Sequence, residues 1–250
     1  MPARPGAANT AAMTVQIYDI MACNVYWDFD DSLGLPREQH KFLVSFHPSE
    51  TPVPDLVDRI VARGPGGYEA AFTNQMFTNA NRDGWIYDPS LNYHWYMLNV
   101  PTGFLPEGTY TIEVVTKDGQ VLSRSREQRD APSRAIVDSY LADRERLAYT
   151  LTSWTTLAEL GGPDAYYVYR LAKARSLREF DTQRLLWWDN IYIRRARGVE
   201  PQAGLNKGAV DLPIELTPGE SYGVFVEITD GNVQSEANIC VFQPHRFLVA

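Results

Sequence analysis

Histidine is the side chain whose ordinary pKa lies nearest physiological pH, so acid–base chemistry in this chain would start from His40, His47, His94 or His245. His94 is the strongest candidate. It stands between Tyr93 and Trp95, and a turn at Asp88-Pro89-Ser90 would fold Asp88 and Tyr87 back toward it. A histidine with a carboxylate and a phenol in reach has the parts of a general acid–base site. No histidine pair has zinc spacing and Cys23 and Cys240 form no C-x-x-C motif, so no metal and no cofactor is expected. The acidic run Asp28-Phe-Asp30-Asp31 does not make an EF-hand loop, because Leu33 and Gln39 stand where Gly and Glu are required. Gly64-Pro-Gly-Gly67 lacks the lysine of a phosphate cradle, and there is no G-x-S-x-G nucleophile motif.

Two aromatic segments offer binding chemistry instead. Residues Gly84-Trp-Ile-Tyr-Asp-Pro-Ser-Leu-Asn-Tyr-His-Trp-Tyr-Met97 read as strand, turn, strand. Tyr93, Trp95 and Met97 then share one face, and His94, Tyr96 and Leu98 the other. Residues Leu185-Leu-Trp-Trp-Asp-Asn-Ile-Tyr-Ile-Arg-Arg195 repeat the theme around Asp189-Asn190. These rings serve simply as core, or, since alternation sends half of them out of a sandwich core, they cover another unit or subunit or recognise a ligand. The expected partner-binding set is Trp85, Tyr93, Trp95, Trp187, Trp188 and Tyr192, with Arg194 and Arg195. Around the second segment Arg170, Lys173, Arg175, Arg178, Arg184 and Arg197 add to a local basic stretch, opposed only by Glu179, Asp181 and Asp189. Arginine beside Trp and Tyr can stack on rings and grip carboxylates or phosphates.

The elements that must position these residues are strands, and they are written twice. Tyr110, Ile112 and Val114 alternate before Asp118-Gly119, and Tyr222, Val224 and Val226 alternate before Asp230-Gly231. Val121 pairs with Val233 and Ser123 with Ser235; Val57-Asp-Arg59-Ile60 matches Val168-Tyr-Arg170-Leu171. Phe42–Phe46 and Tyr149–Trp154 also read as strands, while Pro48–Pro54 and Gly161–Pro163 break the chain. The one helical pattern, Ser133–Glu145, falls at the junction of the two units. The expected fold class is all-β, with two tandem antiparallel β-sandwich domains: 14–128, a linker at 129–134, and 135–250, after a disordered lead-in over 1–13.

Residues 135–250 resemble a fibronectin type III domain. Leu151-Thr-Ser-Trp154 is similar to that family's second strand with its buried Trp, and Tyr167-Val-Tyr-Arg170 to its third. Leu216-Thr-Pro-Gly-Glu-Ser-Tyr222 resembles its tyrosine-corner turn, in which the Tyr hydroxyl bonds back to nearby backbone. The first unit departs from the pattern, with Phe46 in the place of the Trp and a shorter turn, Leu105-Pro-Glu-Gly-Thr-Tyr110. It is more broadly Ig-like. The resemblance implies adhesion, scaffolding or partner binding, and it implies no chemistry.

Composition narrows the rest. Apolar residues at 44% and charged residues at 22% fit a folded chain, and no apolar run is long enough to span a bilayer. The net charge of −8 argues against nucleic acid as the partner. Met1–Met13 has no apolar stretch of a secretory signal, Met13 is an alternative start, and a cytoplasmic location is expected. Whether Cys23 and Cys240 pair is open. The leading functional expectation is a non-catalytic binding or scaffold protein that recognises a protein or peptide, or else a small molecule. Two alternatives stand beside it: a small tailoring or cyclising enzyme with an aromatic-lined pocket between the domains, and a homo-oligomeric structural subunit.

Overall fold

The structure, a computed structural model, describes residues 15–28, 34–78, 82–88, 92–182, 184–189, 207–231 and 237–250. The described residues are mostly β, with thirteen strands in two sheets. In chain order the strands are β1 (Ile17–Trp27), β2 (Glu38–Phe46), β3 (Val57–Gly64), β4 (Tyr68–Ala71), β5 (Asp83–Asp88), β6 (Tyr93–Val100), β7 (Gly108–Thr116), β8 (Val121–Gln128), β9 (Tyr166–Lys173), β10 (Trp187–Asp189), β11 (Ser221–Thr229), β12 (Ile239–Phe242) and β13 (Arg246–Val249). A short helix α1 (Val53–Leu56) leads into β3, and α2 (Asp130–Asp143) follows β8, where the sequence pattern places a helix.

The smaller sheet runs β4-β3-β7-β8. It packs on the β1-β2-β6-β5 half of the larger sheet around Phe42, Phe46, Tyr96, Tyr110 and Ile112. Strand β7 keeps the alternation of its sequence: Tyr110, Ile112 and Val114 are buried, and their neighbours are half-exposed. Gly64 lets the Tyr110 ring lie on the backbone of β3, since a Cβ there would stand 2.2 Å from a ring carbon.

The other half of the larger sheet is covered differently. Helix α2 and the irregular chain around Leu147, Trp154, Leu157 and Val210 lie on β9, β11 and β12. Tyr149–Trp154, expected as a strand, forms a tight turn with isolated bridges from Tyr149 to Trp154 and from Ser153 to Ala209. The reason is local. Thr150 Oγ1 accepts hydrogen bonds from the backbone N–H groups of Thr152 and Ser153, which gives the chain an alternative to a ladder. Trp154 is nevertheless buried and stacks on Tyr169 with ring centroids 5.8 Å apart.

The larger sheet has the order β10-β9-β11-β12-β1-β2-β6-β5, with β13 also paired to β11. It passes unbroken from one unit to the other through β1 and β12, which pair in parallel with Val25 opposite Cys240. This corrects the expectation of purely antiparallel pairing. The contact joins the start of the chain to its end, and no local pattern announces it. The sheet also curls. Strands β10 and β6 stand six places apart in it, about 29 Å on a flat sheet at ~4.8 Å per strand. Yet Trp188 of β10 and Trp95 of β6 stack with centroids 5.5 Å apart. The face turned away from the two cores is therefore concave, and strands β2 and β11 are buried on both sides.

Candidate functional site on the concave face

Alternation along the central strands aims one set of side chains into this hollow. From β1 come Met21, Cys23 and Val25, from β2 Lys41 and Leu43, from β6 Trp95, and from β12 Cys240 and Phe242. Arg170 of β9 and Phe225 and Glu227 of β11 complete it. Most are apolar, as a surface folded on itself requires.

Three charged groups sit among them. Glu227 offers one carboxylate oxygen to Lys41 Nζ at 3.6 Å and the other to Arg170 Nη1 at 3.2 Å. The side chains of Lys41 and Glu227 are only 7% and 5% exposed, while Arg170 is 19% exposed and forms the outer member. The Arg170 guanidinium lies over the rings of Trp188 and Phe225, at 5.2 and 5.1 Å from their centroids, and Lys41 Nζ lies 4.6 Å from that of Phe242. Cation–π contacts hold the two cations where apolar walls have removed their water.

The protonation states follow from this packing. Burial would raise the Glu227 carboxyl, but Lys41 and Arg170 overcome it and hold the group below its ordinary range. Burial likewise opposes the Lys41 ammonium, but the Glu227 carboxylate favours it, and its pKa is raised. Lys41 is thus a fixed cation rather than an amine nucleophile. The thiols of Cys23 and Cys240 are free, buried and 3.6 Å apart; the contact between them and their burial keep Cys240 protonated. Beside Arg170, His245 is packed against Phe180 and Phe225, and burial, helped by Arg170, brings its pKa down to about 4.

The residues singled out from sequence fall in several places. Trp85 is 2% exposed in the core with Phe46 and Tyr96, its Nε1 donating to Asn74 Oδ1, so it presents no surface to a partner. Its side chain points between the sheets because β5 pairs with β6 in the register that places Trp85 opposite Tyr96. Trp95 is buried under Trp188, and Trp187 is half-buried against the core beneath α2. Tyr93 is half-buried at the rim, 5.4 Å from Tyr18, which in turn meets His47 at 5.0 Å. Tyr192, Arg194 and Arg195 lie outside the described residues.

Tyr87 and His94 are cross-strand partners whose rings lie 4.7 Å apart, and burial lowers the His94 pKa. Tyr87 donates its hydroxyl proton to Asn92, and Asp88 is registered against Tyr93 rather than His94. The expected acid–base grouping is therefore a pair of tilted rings on neighbouring strands, with the carboxylate one position away.

Lys41, Arg170 and Glu227 carry the charge chemistry of the hollow; sequence reasoning passed over Lys41 and Glu227, and took Arg170 only as part of the basic stretch and His245 only as one of four histidines. One signal was present. Glu227 stands in the apolar strand run Gly223–Ile228, where an ordinary solvent face is not available, whereas Lys41 follows Glu38-Gln39-His40 and gave no such signal.

Among the described residues no three His, Cys, Asp or Glu side chains gather as a metal cage, and no helix is long and apolar enough to cross a membrane. The chain matches no family model and no curated protein.

Proposed function

We propose that the protein is a binding protein built on two Ig-like, fibronectin-III-like units, and that it recognises a protein or peptide partner at the rim of the concave face. One observation carries the reading: the two aromatic segments converge, with Trp188 stacked on Trp95, and leave Tyr93, Tyr18 and His47 as a half-open aromatic strip beside them. Aromatic rings that are held rigidly and only partly covered are the usual anchors of an interface.

The relation to Ig-like and fibronectin-type domains is supported by two tyrosine corners. Tyr110 donates its hydroxyl proton to the Pro106 carbonyl at 3.0 Å, and Tyr222 accepts from the Thr217 N–H at 2.8 Å. The free thiols of Cys23 and Cys240 support a cytoplasmic location, where thiols are kept reduced.

The test is native mass spectrometry of the protein purified gently from its own cells, beside a Tyr93→Ala/Trp188→Ala variant. A protein or peptide adduct that disappears in the variant is the expected result. An adduct of equal abundance in both, or a bare chain in both, overturns the assignment.

A further inference from the structure

Among the described residues the charges of the concave face do not balance. Lys41 and Arg170 bring two positive charges and Glu227 one negative charge, while His245 is neutral near pH 7. The hydrogen-bond count is more uneven. An ammonium and a guanidinium together offer about eight N–H donors. Among the described residues Glu227 is the only carboxylate that meets either cation, at 3.6 Å from Lys41 and 3.2 Å from Arg170. Arg170 donates through Nη1 alone.

Arg170 is also the member of the cluster that reaches outward, and its guanidinium is held against the Trp188 and Phe225 rings. A planar fork fixed on aromatic faces, with donors to spare and an uncompensated charge behind it, is built to take a planar anion.

We propose that Arg170 is the anchor for a carboxylate of the bound partner, with Lys41 supplying the second positive charge from within and Trp188 flanking the incoming group. This rests on the binding reading above and adds to it the chemical class of the group recognised. Glu227 orients Arg170 and sets the net charge at one, so a single carboxylate neutralises the site.

Benzoate and N-acetylphenylalanine, the second a mimic of a peptide chain end, are titrated into the full chain. Their uncharged amides serve as controls, and tryptophan fluorescence reports on Trp188. At least one acid is expected to saturate while its amide does not. Benzoate alone would indicate a small acid as the natural ligand, and N-acetylphenylalanine alone a chain end. Arg170→Gln, which leaves Lys41 and Glu227 as a balanced pair, should weaken the acid at least tenfold. Arg170→Lys keeps the charge and loses the planar fork, so it should also weaken the acid several-fold, which gives a second reading if Arg170→Gln fails to fold.

Equal responses to acid and amide, no saturation by either acid, or an unchanged Kd in Arg170→Gln would overturn the proposal. If that occurs while the Tyr93→Ala/Trp188→Ala variant still loses its partner, the carboxylate assignment alone has failed. If that variant keeps its partner while the acids bind as expected, the rim assignment has failed and the anion site stands.

Discussion

Trp95 and Trp188 lie 5.5 Å apart with their planes 23° from parallel, although their strands stand six places apart in one sheet. The stack marks the closure of the hollow. A sheet that twists in one sense along its length can bring distant strands face to face, and here the faces that meet carry the two aromatic segments. The curl explains why β11 is buried on both sides while β7, with a similar sequence, is buried on one.

If the stack closes the hollow, the two rings must be energetically coupled. In a double-mutant cycle of Trp95→Ala and Trp188→Ala, urea unfolding should show a coupling of about 0.5–1.5 kcal/mol, the range for aromatic pairs beyond their area burial. Additive losses would mean that the rings are close without supporting one another.

The buried charges predict an order of destabilisation. Glu227→Leu leaves Lys41 and Arg170 together without a counter-charge and should cost roughly 3–5 kcal/mol. Lys41→Met leaves Arg170 and Glu227 as a one-to-one pair, and its cost should be no more than about 2 kcal/mol. Denaturant unfolding of the two variants side by side measures the difference. Equal costs would show that Glu227 is not what holds the two cations in place.

Much of the frame was legible in the sequence because its signals are local. The alternation of Tyr110, Ile112 and Val114 marked β7, and that of Tyr222, Val224 and Val226 marked one face of β11. Both corner turns could be read from their Pro-Gly and Glu-Gly residues. The hollow was not legible. It depends on β1 meeting β12 across nearly the whole chain, and on a curl that turns the Tyr93–Met97 face inward. Trp85 shows the limit well: its type suggested a surface anchor, and only its register opposite Tyr96 places it in the core. Lys41 shows the converse, a residue type expected in solvent that is buried because a second element covers its strand.

Histidine 245 should give stability a pH dependence of known sign. Its folded pKa of about 4 lies below the ordinary 6.5, so as pH falls the unfolded chain takes the proton first. Its contribution is intact above pH 6.5 and is lost between 6.5 and about 4, by up to about 3 kcal/mol at ~1.4 kcal/mol per unit. Glu227 acts in a separate window: its pKa is held below the ordinary 4.5, so its stabilisation is present above that value and is lost in more acid solution. His245→Phe, set among Phe180, Phe225 and Phe247, should reduce the slope of the unfolding free energy between pH 6.5 and 4, leaving the smaller contributions of His40 and His94, whose pKa values burial also lowers, and the acid limb. A slope unchanged by the substitution would assign it to another group.

The two tyrosine corners use the hydroxyl in opposite senses, and this makes them distinguishable. Tyr110 donates to the Pro106 carbonyl, whereas Tyr222 accepts from the Thr217 N–H. Tyr110→Phe leaves a carbonyl with one acceptor site unfilled, a deficiency that folded proteins tolerate. The cost should be about 0.5–1.5 kcal/mol, that of an ordinary hydrogen bond. Tyr222→Phe takes that acceptor from the Thr217 N–H, but Thr217 lies on an exposed turn, where water can replace the hydroxyl. Its cost should fall in the same range, about 0.5–1.5 kcal/mol. Urea unfolding of the two variants, with amide hydrogen exchange at Thr217, separates the cases. Slow exchange at Thr217 in the parent and fast exchange in Tyr222→Phe would tie the loss in that variant to that bond. Equal losses with unchanged exchange would show that the rings, packed in their two cores, do the work and the hydroxyls do not.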